Sequence, residues 1–171
     1  MSKTIYSIYD NSPKTEQIST LLGQNNTAKI QLSGLVGSSI SFLIRSLFKK
    51  SELPFVLILN DKEEAAYFLN DLEQMVGDQD VLFYPASFRR PYQIEETDNA
   101  NVLLRAEVLN RINSRKKPAI IVSYPEALFE KVVTRKELDK NTLKVAVGDQ
   151  ISIDFINEVL FEYEFKRVDF I

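Results

Sequence analysis

The sequence predicts an α/β fold built on a parallel sheet, and three observations carry that expectation. Apolar runs of strand length alternate four times with amphipathic helical stretches up to about residue 130. Two of the runs, Phe55-Val56-Leu57-Ile58-Leu59 and Ala119-Ile120-Ile121-Val122, are apolar at every position, as strands covered on both faces are. Each is followed by helix-start chemistry, so the connections read as crossovers between parallel strands. Near Asn141 the pattern changes. The expected division is residues 1–142 for the parallel-sheet domain and 143–171 for the incomplete beginning of a smaller α+β domain.

The elements follow in order. Ser12-Pro13 opens a helix, with Ser12 as N-cap and Pro13 at the first helical position. Ile18, Leu21 and Leu22 give it one apolar face to lay over the sheet, and Gly23 ends it. Ala28-Lys29-Ile30-Gln31-Leu32 is expected as the first strand, and the mostly apolar stretch from Phe42 to Phe48 as a helix. The strand from Phe55 leads to Asp61 and Glu64, which have the spacing of a capping box, and to a helix with Ala65, Phe68, Leu69, Leu72 and Val76 on one side. Gly77-Asp78 breaks it. Val81-Leu82-Phe83-Tyr84 is a third strand, stopped by Pro85. The helix from about Asp98 to Asn113 is expected to turn Val102, Leu103, Ala106, Leu109 and Ile112 inward and Arg105, Glu107 and Arg111 to solvent. After the fourth strand, Ser123 and Glu126 have capping-box spacing, as do Thr134 and Glu137. Leu143-Lys144-Val145-Ala146-Val147 alternates like a half-exposed strand. Ser152 caps a helix carrying Ile153, Ile156, Val159 and Leu160, and Lys166–Ile171 begins a further strand, as though the sequence stopped inside a domain.

The stretch with most chemical content lies between the first expected strand and its helix. An apolar segment enters the turn Gly34-Leu35-Val36-Gly37-Ser38-Ser39-Ile40-Ser41, and an apolar helix leaves it, which is the frame of a phosphate-binding loop. Such a loop ends in Gly-Lys-Ser or Gly-Lys-Thr, and here Ser39, Ile40 and Ser41 stand in those places. Ile40 cannot bring a positive charge to the β and γ phosphates. Ser39 puts a Cβ where glycine would let backbone amides approach them. Ser41 keeps a hydroxyl for a magnesium ion that has no phosphate to hold it. The turn is expected to be a strand-to-helix connection, close-packed at Gly34 and Gly37, with Ser38 capping the helix and no bound cofactor.

Bulk properties narrow the classes further. The 171 residues have 44% apolar and 26% charged side chains, an ordinary globular balance with a net charge of −3. That charge does not favour nucleic acid over the whole surface. There is no cysteine and no histidine, so disulfides, thiolate or imidazole metal sites and histidine acid–base catalysis are absent. No metal site and no catalytic residue are expected. The acidic pairs Glu63-Glu64, Glu95-Glu96 and Asp78/Asp80 sit at helix starts or turns, where carboxylates favour the helix N-terminus. A cytoplasmic protein is expected, with neither signal peptide nor transmembrane span.

The most unusual surface stretch runs from Ala86 to Thr97, where Arg89 and Arg90 lie between Phe88 and Tyr92. Phe88, Arg89, Arg90 and Tyr92 are candidates for contact with a partner or nucleic acid, the guanidinium groups reaching phosphate or carboxylate and the rings stacking. Pairing of the arginines with Glu95 and Glu96 in a local ionic loop is the alternative. A DNA-binding module using Arg89, Arg90, Arg115, Lys116 and Lys117 is a further reading, as is a functioning nucleotide-binding domain.

Four tracts carry a family resemblance: Asp61–Leu72; Phe83-Tyr84-Pro85 with Phe88-Arg89-Arg90-Pro91-Tyr92; Arg105-Ala106-Glu107-Val108-Leu109; and Val122-Ser123-Tyr124-Pro125-Glu126-Ala127-Leu128. In order and spacing they resemble the N-terminal module of the bacterial transcription-repair coupling factors, the Mfd family. That module is similar to the first, helicase-like domain of the damage-recognition protein UvrB, with a small inserted α+β domain. The resemblance implies a degenerate phosphate loop where UvrB has an intact one. In place of UvrB's DNA-gripping aromatic hairpin it leaves only the short loop from Ala86 to Glu96. It implies a non-catalytic module that recruits UvrA through the inserted domain and restrains the motor by packing on other domains of the same protein. ATP and magnesium, RNA polymerase and DNA would belong to the parent protein's other domains.

Overall fold

The computed structural model describes residues 5–24, 27–88, 98–114, 117–140, 142–143, 145–162 and 165. The chain divides into two units, Met1–Val133 and Thr134–Ile171, with the division falling before the Thr134–Glu137 capping box.

The first unit is α/β, as the sequence predicts. Its strands are β1 (Phe55–Ile58), β2 (Val81–Tyr84) and β3 (Ile120–Ser123). They form a parallel sheet in the order β1-β3-β2, with Ile120 of β3 level with Phe55 on one side and Val81 on the other. Helices α1 (Ile5–Asp10), α2 (Pro13–Gly23), α3 (Ser39–Ser51), α4 (Lys62–Val76), α5 (Asn99–Ser114) and the short α6 (Pro125–Phe129) complete it. The core gathers Phe48, Ala65, Leu72, Val108 and the strand residues Val81, Leu82, Ile120 and Val122.

Local signals account for the helix ends. Asp61 accepts a hydrogen bond from the Glu64 amide at 2.8 Å, and Glu64 Oε2 accepts from the Asn60 amide at 2.9 Å, so the expected box forms with its return bond one residue earlier. Ala65, Phe68 and Leu72 are buried along the inner stripe of α4, and Gly77 ends it at φ 115°, a conformation open to glycine. The Ser123–Glu126 box does not form. Ser123 lies inside β3, where its buried hydroxyl donates to the Tyr84 carbonyl at 2.8 Å, and Tyr124 takes the N-cap position of α6. The strand ladder claims the residue that local spacing assigns to a cap.

Continuous apolar runs have different fates. β3 is central and buried throughout, but β1 is an edge strand whose Val56 and Ile58 are 57% and 59% exposed. Helix α5 packs on β2, and its cover does not extend over that side of β1. Ala28–Leu32, expected as the first strand, is exposed and takes no regular structure. Lys29 and Gln31 leave it one apolar side only, too little for a position buried on both faces. Helix α2 packs against α3 rather than the sheet, behind an additional helix, α1, that sequence patterning misses. Ser12 stands at the N-cap of α2 without a side-chain cap bond.

Helix α5 is turned relative to the expected face. Arg105, expected in solvent, is 6% exposed, and Val108 is buried beside it, while Val102, Leu103 and Ile112 are exposed. Arg111 donates to the Gln79 carbonyl at 2.7 Å instead of pointing freely outward. Glu107 is exposed as expected.

The second unit holds α7 (Arg135–Lys140) and α8 (Ile153–Glu162). The Thr134–Glu137 box forms, with the Glu137 carboxylate accepting from the Thr134 hydroxyl at 3.0 Å. Ser152 caps α8 by accepting from the Phe155 amide at 3.1 Å. The described residues of Leu143–Val147 form no strand. They run into a turn in which the Ala146 amide donates to Asp149 at 2.8 Å, and no strand of the second unit stands beside them among the described residues. The strand expected from Lys166 lies outside the described residues.

Candidate functional site

The turn Gly34–Ser41 was singled out by sequence, and its geometry follows from its residues. Gly34 and Gly37 take φ of 78° and 55°, left-handed conformations that favour glycine. A Cβ added at either would meet nothing within 4 Å, so conformation and not the expected close packing explains these glycines. Ser38 occupies the N-cap position of α3 but makes no side-chain cap bond. Its neighbour closes the turn instead: the Val36 amide donates to Ser39 Oγ at 2.7 Å, and the Ser39 amide donates to the Val36 carbonyl at 3.2 Å. A phosphate nest needs backbone N–H groups turned toward the anion. Here two of them are bonded within the turn.

The remaining hydroxyls face helix α4. Ser38 Oγ lies 3.3 Å from the Tyr67 hydroxyl. Ser41 is fully buried and donates to Asp71 Oδ2 at 3.3 Å. Ile40 is half-buried at the place where a phosphate loop carries lysine. The turn supplies no cation, and the hydroxyl best placed to hold a magnesium ion sits against a carboxylate inside the protein.

In open α/β sheets, ligands bind beyond the carboxyl ends of the strands. That end carries a cleft of about 290 Å³ lined by Asp61, Lys62, Glu63, Ala86, Phe88, Tyr124 and Glu126. Three carboxylates against one ammonium make it unfavourable for phosphate. Among the described residues no group of three or more carboxylates is placed to hold a metal ion.

The same end anchors the second sequence-predicted site. Phe88 is half-buried, packs on the core and lines the cleft. Arg89, Arg90 and Tyr92, with Glu95 and Glu96, lie outside the described residues. The backbone leading to them is held firmly. The Ala86 amide donates to the Tyr124 hydroxyl at 3.0 Å, the Ser87 amide to Glu130 Oε2 at 2.8 Å, and Asn101 Nδ2 to the Ala86 carbonyl at 2.9 Å. The Asp98 amide donates to the Ser87 carbonyl at 2.7 Å, which brings the two ends of the loop together. Arg105 Nη1 reaches the carbonyls of Pro85 and Ala127, lies 3.5 Å from Glu130, and its guanidinium sits 4.3 Å over the Tyr84 ring. Burial raises the pKa of Tyr84 and of Tyr124 above the ordinary tyrosine value, keeping both phenols neutral.

Sequence reasoning missed Tyr67, Asp71, Asn101, Arg105 and Glu130. The four-residue spacing of Tyr67 and Asp71, which puts them on one helix face, is the signal that could have paired them with Ser38 and Ser41. Of the basic residues proposed for DNA, Arg115 and Lys116 lie outside the described residues, and Lys117 is bound to Asp80 at 2.7 Å. Among the described residues no helix is long and apolar enough to cross a membrane.

No protein-family model matches the chain, and no solved structure matches it significantly. Curated proteins do. The transcription-repair-coupling factor of Bacillus subtilis (strain 168) is 26% identical over 141 residues, 82% of this chain and 12% of that protein. The factor of Rickettsia bellii (strain RML369-C) is 25% identical over 127 residues, and that of Rickettsia typhi (strain ATCC VR-144 / Wilmington) 21% over 126, each covering 74% of this chain and 11% of the relative. The chain therefore spans only a small part of the length of the relatives it matches. The resemblance carried by the four tracts is borne out: across most of its length this chain is similar to the transcription-repair-coupling factors.

Proposed function

We propose that this chain is a non-catalytic N-terminal module of a transcription-repair coupling factor, which serves UvrA recruitment and restrains the motor. The parent protein is read as an ATP-driven DNA translocase that displaces stalled RNA polymerase, with ATP and magnesium bound in its other domains. The observation that carries the proposal is the turn Gly34–Ser41. Its sequence has the frame of a phosphate loop, yet Ile40 brings no charge and Ser41 is buried against Asp71. The nucleotide fold then persists as a scaffold that holds surfaces for other proteins. A cytoplasmic location suits that role. The contact with UvrA is assigned to the inserted α+β domain, which is read as starting at residue 143.

The test is capture of UvrA by this chain alone and by the chain within a full-length coupling factor. Clear capture by the full-length protein only is expected. Equal capture by both would overturn the placement of the contact, and capture by neither would overturn the recruitment role.

A further inference from the structure

We infer that the turn Gly34–Ser41 works as a two-point latch between α3 and α4, so that restoring its missing glycine and lysine does not restore nucleotide binding. The inference rests on the reading that the native turn holds no phosphate, and it adds the reason that the loss is not a matter of two residues.

The geometry is a matched pair of spacings. Ser38 and Ser41 are three residues apart at the start of α3, and Tyr67 and Asp71 are four apart on α4, so each pair projects from one side of its helix. The pairs meet as Ser38–Tyr67 and Ser41–Asp71, both at 3.3 Å. That distance is long for hydroxyl hydrogen bonds, and the outer contact is exposed. The inner one carries the latch, because the Ser41 hydroxyl is fully buried and its acceptor is a carboxylate oxygen. A loop that holds Mg-phosphate needs that same hydroxyl free and turned toward the ligand. Replacing Ser39 by glycine would release the Val36 amide, and replacing Ile40 by lysine would supply the cation. Neither change frees Ser41 from Asp71.

The experiment titrates MgATP into the full chain and into its Ser39→Gly/Ile40→Lys variant, with the far-ultraviolet spectrum of each recorded to confirm folding. No saturable binding to either is expected at millimolar ATP. Saturation of the variant alone would overturn the latch while leaving the proposed function standing. Saturation of the unsubstituted chain would overturn the premise beneath both. A double-mutant cycle keeps the latch testable if the glycine–lysine variant does not fold. Ser41→Ala and Asp71→Asn are each expected to lower Tm by about 2–6 °C. Together they should lower it by little more than either does alone. Strictly additive shifts would overturn the coupling.

Discussion

Replacing Arg105 with alanine is expected to destabilise the first unit by about 3–5 kcal/mol, the range for removing one partner of a buried ion pair. The guanidinium is almost fully enclosed and joins four groups: the carbonyls of Pro85 and Ala127, the Glu130 carboxylate and the Tyr84 ring. Its removal leaves two buried carbonyls unpaired and the Glu130 charge uncompensated, and an unsatisfied buried group costs about 1–3 kcal/mol each. The damage should centre on the backbone of Pro85–Ser87, where Glu130 also holds the Ser87 amide. Arg105→Lys is expected to recover only part of the loss, because an ammonium has no planar face to lie over the Tyr84 ring. Urea unfolding of both variants measures this. A loss below about 1 kcal/mol for Arg105→Ala would mean that α5 is held by its apolar contacts alone.

The second large effect is expected at Arg45, which docks the N-terminal helices. Arg45 donates to both oxygens of Asp10 at 2.9 and 3.1 Å and lies 4.2 Å over the Tyr6 ring, while Ser46 donates to Asp10 at 2.6 Å. Arg45→Ala removes the charge pair and the cation–π contact together, about 2 kcal/mol once the solvent screening of Asp10, whose side chain is 37% exposed, is allowed for. The same pair makes stability depend on acid. Partial burial pushes the Asp10 carboxyl up, but hydrogen bonds from Ser46 and Arg45 and the charges of Arg45 and Lys49 outweigh it and hold the carboxyl below its ordinary value of 3.8. A carboxylate with a depressed folded pKa stabilises above its unfolded value and loses that contribution as pH falls through the folded one. Thermal melts of the unsubstituted chain should therefore show an acid limb that steepens below pH 3.8. Asp10→Asn and Arg45→Ala should flatten it. An unchanged limb in both variants would remove Asp10 as its source.

These two arginines show where sequence stops being informative. Arg45 and Arg105 sit in apolar helices at positions that periodicity assigns no partner, and each is buried because a distant segment supplies acceptors: Asp10 for one, the ends of β2 and α6 for the other. Asp61–Glu64 and Thr134–Glu137 were legible because both partners lie within one helical turn. Ser123–Glu126 had equally good spacing and failed because a parallel ladder overrides a local cap. The parallel sheet itself was legible in its apolar runs. Which run would be central was not, since Val56 and Ile121 look alike in sequence, yet the first stands on an edge strand and is exposed while the second stands on the central strand and is buried. At the turn, the absent cation could be read directly from Ile40. That Ser41 is buried against Asp71 depends on how α3 and α4 pack, and no local pattern encodes it.

The central claim is that the turn Gly34–Ser41 holds no nucleotide phosphate. Calorimetric titration of the full chain with MgATP addresses it most directly. The account predicts no saturable heat up to millimolar nucleotide. A stoichiometric isotherm with micromolar affinity would contradict it.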